Sequence, residues 1–363
     1  LLQSFTAGNG LSNWNTYTND FELDLSGVYD GATKLIERSH TRTDSLNLTN
    51  IWDNVTAANN QSFWYSPSNR LQNADGPWGS KTFYYDGVGN RTYENTTVSG
   101  VTTSDNFTYP VTSNRVQSVV RAAVTTRSIT YDNAGNILTD SRSGGPYTYT
   151  YNKAGRLKTV TVGGTVRGTY VYNGFEQLIS RVVTNSGTAN GTTYFVHDQW
   201  GNVIAELTTA GATVREYIWL PETEIAPTMQ SRTQVDRPVA VVDGVNTASP
   251  ATLMVHVDHL NRPVRMTNST KASVWDVIYT PWGAFHSATG AQTLNARFPG
   301  QWFQLESGLH YNWHRHYDPS LGRYTQPDPL GFVDGPSVYA LSLIHISEPT
   351  RRTPISYAVF CLK

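Results

Sequence analysis

Tyr147-Thr148-Tyr149-Thr150-Tyr151, then Asn152-Lys153-Ala154-Gly155-Arg156, then Leu157-Lys158-Thr159-Val160-Thr161-Val162, is the stretch that decides the fold class. Two runs of β-branched and aromatic residues alternate at period two, the pattern of a strand with one face toward a core. Between them an Asn can hydrogen-bond the turn backbone and a Gly accepts φ > 0. Strand, turn and returning strand make a β-hairpin.

The unit recurs. An aromatic or His, then Asp or Asn, two variable residues, Gly, and Asn or Arg stand at Tyr131-Asp132 to Gly135-Asn136, Tyr151-Asn152 to Gly155-Arg156 and His197-Asp198 to Gly201-Asn202. An earlier copy is Tyr85-Asp86 to Gly89-Asn90, and poorer ones are Tyr65 to Leu71 and Tyr172-Asn173 to Leu178. Lead residues 131, 151, 172 and 197 lie 20, 21 and 25 residues apart, a period typical of array architectures. A lone hairpin is marginal in water, so consecutive units must pair edge to edge and hide their edges by coiling or closing. The expected fold is all-β, an array of hairpins in a long, curved sheet.

Composition agrees. Of 363 residues only 15% are charged while 12% are aromatic, with 21 Tyr and 10 Trp, which favours strands over helices. A formal charge of −1 gives no electrostatic reason for nucleic-acid or anionic-membrane binding. No apolar run is long enough to span a bilayer, so membrane insertion is not expected. The start, LLQSFTAGNG, lacks an initiating Met and a signal-peptide pattern, so the chain is expected to begin mid-protein. The single cysteine, Cys361, supplies neither a disulfide framework nor a metal cluster, and no cofactor is expected.

The densest turn chemistry lies in Arg297 to Tyr339, RFPGQWFQLESGLHYNWHRHYDPSLGRYTQPDPLGFVDGPSVY. Leu309, Tyr311, Trp313 and Tyr317 share one parity and His310, Asn312, His314 and His316 the other, predicting a half-buried strand with Arg315 as the charged exception. Asp318-Pro319 and Asp328-Pro329 break the chain twice, with Gly322 and Gly331 at permissive turn positions.

These residues carry a resemblance. Tyr131-Asp132-Asn133-Ala134-Gly135-Asn136 resembles the YD repeat, and residues 252–339 resemble the Rhs-associated core of the Rhs/YD-repeat family of polymorphic toxin-type proteins. The landmarks are HVDHLNRPVRMT from His256, Tyr279-Thr280-Pro281-Trp282-Gly283, Arg297-Phe298-Pro299-Gly300-Gln301, Gly308 to Asn312, Tyr317-Asp318-Pro319, Gly322-Arg323-Tyr324 and Asp328-Pro329-Leu330-Gly331. The resemblance covers about 21–340. It implies a spiral β-sheet wound into a hollow shell, closed at one end by the core-associated segment. It also implies a variable C-terminal polypeptide, often a toxin, held inside, and export by a secretion apparatus or display on the cell surface.

The expected divisions are a hairpin array over 1–250 and a core-associated segment over 251–340. The array carries an exposed insertion near 221–238, around TEIAPTMQSRTQVDRP. Residues 341–363, LSLIHISEPTRRTPISYAVFCLK, contain no Gly, Asn, Asp or Trp and resemble translated sequencing-adapter read-through; they are assigned no function.

Three sets of residues are candidates for chemistry. Paired carboxylates push their pKa values apart, so one acts as an acid while the other activates water. Many members of the resembled family form such a pair from two Asp-Pro-x-Gly motifs and thereby release the C-terminal cargo. Asp328 matches the first motif; where the second would begin stands Thr350, and the tail has no Asp. Asp328 is therefore half a catalytic dyad, or plainly a turn residue, and this chain is not expected to cleave itself. Asp318 is a substitute partner or the preceding turn.

A metal could draw on His310, His314 and His316, with His256 and His259. On one strand His310 and His314 lie ~13 Å apart, too far for one ion, leaving His314 and His316 as the pair able to chelate. A polar strand face is the simpler role, and no metal site is assigned. Asn-x-Ser/Thr triplets at Asn47, Asn54, Asn60, Asn90, Asn95, Asn106, Asn190 and Asn268 would be glycan acceptors in a secreted eukaryotic protein. In an Asn- and Thr-rich array composition alone produces them. The aromatic excess suits inter-strand packing, or a sugar-binding surface.

The expected function is a non-enzymatic encapsulating shell fragment of a toxin-delivery protein, secreted or at the cell surface, lacking its C-terminal effector. A cell-surface adhesin for carbohydrate or protein, and an aspartyl autoprotease inactivated by truncation, are the alternatives.

Overall fold

The computed structural model describes residues 2–220, 237–298, 300–332 and 335–341. Most of the expected insertion, 221–236, and the tail 342–363 with Cys361 and Thr350 lie outside the described residues. The described residues are strands and turns, with two single 3-10 turns at Ala57–Asn59 and Gly187–Ala189. The all-β expectation holds. The structure divides into two compact units: the described residues of Leu1–Lys81 and Arg215–Pro299 form one, those of Thr82–Val214 and Gly300–Arg352 the other.

In the second unit eleven strands from Arg91–Val98 to Val203–Leu207 follow one another, each paired antiparallel with the next. The repeat supplies four of the joints, at 131–136, 151–156, 172–178 and 197–202. At Asp132 the carboxylate accepts the Asn136 backbone N–H at 2.8 Å and the Asn136 side-chain amide at 2.9 Å, and Gly135 takes φ +92°. Asn152, Asn173 and Asp198 each accept the backbone N–H two and four residues on in the same way.

The lead tyrosine does more than pack. Tyr131, Tyr151 and Tyr172 each donate their hydroxyl to the carbonyls of Val116, Ile137 and Leu157, at 3.0, 2.7 and 2.8 Å. Each therefore bonds the start of the preceding hairpin and stitches one unit to the one before it. The apolar residue after each turn, Ile137, Leu157 or Leu178, is buried, while Thr130–Thr139 and Thr150–Thr159 pair their hydroxyls on the exposed face at 2.6 Å.

The first unit is built alike, with seven strands from Ser4–Thr6 to Leu71–Gly76 and six from Thr213–Trp219 to Phe285–Thr289. HVDHLNRP proves to be another copy of the repeat turn. Asp258 accepts the Leu260 and Arg262 N–H groups at 2.9 and 3.0 Å, with Asn261 at φ +60° where other copies place Gly.

Within the second unit, Trp302–Gln304, Leu309–Asn312, Arg315–Asp318 and Arg323–Tyr324 form a separate four-stranded antiparallel sheet. Two expectations are corrected here. Leu309 to Tyr317 is a hairpin: Trp313 adopts φ +47°, and Tyr311 pairs with His316 and Asn312 with Arg315. Every residue of both strands is buried, so neither face meets water and parity carries no inside-outside signal. Gly168 lies in the strand Thr165–Tyr172, its side-chain space occupied by the Tyr170 ring and Glu306.

Candidate functional site

The four-stranded sheet is held by arginines rising from the hairpin ladder of its own unit. Arg127 forks onto Asp140 through Nε and Nη2 at 2.7 and 2.5 Å, reaches Asp318 at 2.5 Å with Nη2 and bonds the Ser320 hydroxyl at 2.8 Å with Nη1. Arg91 donates to the Leu321 carbonyl at 2.8 Å, Arg142 to the Ser307 carbonyl, and Arg156 to the His314 carbonyl at 2.8 Å. Arg156 also pairs with Glu176. In the other direction Arg323 donates to the Asn114 carbonyl at 2.9 Å and Gln326 to that of Gly155 at 2.7 Å. Aromatic contacts fill the gaps: the Tyr311 hydroxyl accepts the Leu178 N–H at 2.9 Å, and Trp302 meets Phe195 edge to face at 5.7 Å.

Asp140 and Asp318 are both buried, and Arg127 divides its charge between them. Burial pushes the Asp140 carboxyl above its ordinary value despite Arg127. Burial pushes Asp318 up as well, but Arg127, Arg142 and the Ser320 hydroxyl outweigh it and hold this carboxyl below the usual range. A carboxylate so engaged is a structural anion, occupied on both oxygens.

Asp328 sits in different surroundings. Its Oδ1 accepts the Leu330 N–H at 2.8 Å and its carbonyl the Gly331 N–H at 3.0 Å, the turn that Asp-Pro-x-Gly predicts. Its Oδ2 lies 3.0 Å from Arg315 Nη2, and the Arg315 guanidinium lies over the Tyr324 ring at 3.6 Å. Next to it opens a cavity of about 1000 Å³, lined among others by Tyr109, Val111, Pro327, Phe332, Pro336 and Tyr339.

The histidines separate. His310 pairs across the hairpin with Tyr317 and His316 with Tyr311, so they point to opposite faces, correcting the expected common face. His314 is in the turn, its Nδ1 3.1 Å from Glu176. His316 lies between the Tyr170 and Tyr311 rings, and burial pushes it down to about 3. Among the described residues no three His, Cys, Asp or Glu side chains are grouped to hold a metal.

Sequence reasoning missed Arg127, Arg142 and Asp140, whose partners lie 13 to 191 residues away. Arg156 left a trace: it holds the sixth repeat position, where three other copies have Asn.

No family model matches the chain. Double-stranded DNA deaminase toxin A of Burkholderia cenocepacia is 26% identical over 305 residues, 71% of this chain and 21% of that protein. Probable deoxyribonuclease RhsB of Dickeya dadantii is 44% identical over 62 residues, 17% of this chain and 4% of that protein. Among solved structures, the TcdB2-TccC3 crystal structure matches with a TM-score of 0.73 at 16% identity, over 93% of this chain and 18% of that one. The chain is similar to proteins of the Rhs/YD-repeat polymorphic-toxin family.

The two letters of the YD repeat now have physical meanings: the Tyr hydroxyl bonds the previous unit and the Asp closes the turn. The chain spans less than half the length of the curated relatives it matches first.

Proposed function

We propose that this chain is the wall and closing sheet of a toxin-delivery protein, and that it encloses a polypeptide effector supplied by a C-terminal region. The observation that carries the reading is the arginine-anchored sheet at 302–324, a densely packed element fastened to a hairpin wall. The named toxins among the relatives support it. Its partners are the effector and an export apparatus, and its place is outside the producing cell. The chain itself performs no catalysis; Asp328, beside Arg315, is the surviving carboxylate of a self-cleavage pair.

The test is protection. The chain is expressed in one reading frame with the polypeptide that follows it in its parent gene and digested with a nonspecific protease. An effector that outlasts the same polypeptide expressed alone supports enclosure; equal digestion rates overturn it.

A second reading, the adhesin, is favoured by Trp14, Trp52 and Trp64, which are 50%, 42% and 48% exposed on strands of the first unit. Exposed indole rings are platforms for sugar rings.

A further inference from the structure

In the first unit, residues far apart in sequence meet at one buried contact. The His40 ring, on the strand Thr33–Arg42, lies 5.5 Å from the ring of His259, in the repeat turn that follows Ala251–Val257. Neighbouring bonds join the same two regions, with Arg265 donating to the Leu35 carbonyl at 2.6 Å and Lys271 pairing with Asp30.

The charges around the rings are already committed. From the strand of His40 come Arg38, held by Asp53, and Arg42, held by Glu22 at 3.3 Å. From the strand Leu23–Asp30 the Asp24 carbonyl lies 3.4 Å from His40 Nδ1. From the turn come Asp258 and Arg262, joined at 2.7 Å, and Arg262 lies over the Tyr279 ring at 4.7 Å. Three guanidinium groups and their carboxylates thus surround two imidazoles, and the buried His40 Nε2 has no hydrogen-bond partner. A proton added there gains no uncommitted carboxylate among these groups and faces a second ring that can also be charged.

We propose that the His40–His259 contact is an acid-operated seam: protonation of the facing rings parts the strand Thr33–Arg42 from the turn 258–262 within the first unit. The sign follows from burial. Burial, then Arg42, pushes His40 down to about 4, and burial likewise pushes His259 well down, against the pull of Asp258. Both rings are neutral in the closed seam, whereas a histidine exposed by opening titrates near 6.5. The seam is therefore at full strength above pH ~6.5 and weakens as pH falls toward ~4. At pH 5 linkage through one ring with a closed value of about 4 favours opening about 30-fold. Two rings are too few ligands for a structural metal site, and no third ligand completes a group among the described residues. Use of the seam to release contents in an acidic compartment rests on the delivery reading; its opening does not.

Hydrogen exchange of the whole chain, corrected for intrinsic rate, tests this at pH 7.5, 6 and 5. Amides of Thr33–Arg42 and 256–262 are expected to lose protection by about 30-fold or more at pH 5 relative to Tyr147–Val162. His40→Gln is expected to remove about 30-fold of that loss, and the His40→Gln/His259→Gln pair nearly all of it. Loss of protection that is uniform along the chain, or unchanged by the substitutions, overturns the seam. Should the variants fail to fold, histidine ring-proton NMR of the unsubstituted chain decides alone: the His40 and His259 rings, assigned individually because buried His316 is pushed down as well, must stay silent down to pH 5 in the closed state, and ordinary titration of either near 6.5 refutes it. Either failure leaves the protease-protection result standing.

Discussion

At the residue scale the second unit depends on Arg127, which pairs with two buried carboxylates and a hydroxyl at once. Removing one partner from a buried ionic group costs more than the group contributes when complete, because the remaining charge is left desolvated. Arg127→Ala should therefore destabilise the chain by about 3–5 kcal/mol, read as a lower midpoint in urea. Arg121→Ala is the control, since its pair with Asp105 is half-exposed and worth ~0.2–1 kcal/mol. Equal midpoints for the two variants would refute the anchoring role. None of this was legible beforehand: Arg127 sits in RSITY, where alternation marks only a buried position on a strand. Asp132, Asn152 and Asp198, by contrast, were readable as turn formers because their partners lie within four residues.

At the scale of elements the misread stretch is Leu309 to Tyr317. Period two distinguishes one face from the other only when one is wet, and here both are dry. The turn at Trp313-His314 carries no Gly, Asn or Pro, so the local signals for a hairpin were missing. What permits it is Gly201 in a repeat turn, where an added Cβ would come within 1.9 Å of the Trp313 ring. Gly201 is also at φ +92°, so Gly201→Ala combines backbone strain with a displaced Trp313. The expected loss is about 2–4 kcal/mol, accompanied by a red shift of tryptophan emission. Gly155→Ala, with open space at its Cβ, should cost only about 1 kcal/mol of φ strain. A Gly201→Ala variant no weaker than Gly155→Ala would show that Trp313 is not seated there.

For the molecule as a whole, the two Asp-Pro turns have separate fates. Asp318 is consumed by Arg127 and Ser320, while Asp328, whose neighbour Pro327 lines an open cavity, has Arg315 and a turn N–H on its carboxylate among the described residues. A self-cleaving pair needs a second carboxylate free to hold a proton, and Asp318 is held ionised. The 363-residue chain is therefore expected to stay a single band on a denaturing gel after prolonged incubation, and Asp328→Asn to behave identically. A fragment lost from the chain but retained in Asp328→Asn would show that another group completes the dyad.

The sequence by itself determined the all-β class, the hairpin period and the turn geometry, because those rest on contacts between residues a few positions apart. It also carried the resemblance to Rhs/YD-repeat proteins, through an ordered series of turn landmarks, as well as the place of Asp328 in a turn. Only the tertiary structure decided that HVDHLNRP is a repeat turn bringing His259 to His40, and that Tyr hydroxyls stitch unit to unit. It alone showed that arginines of the hairpin ladder grip Asp318 and the strands around it. The arginine contacts join residues 158 to 230 positions apart, and a long-range ion pair leaves no period in a sequence: each partner is one charged residue among many until folding removes the water between them.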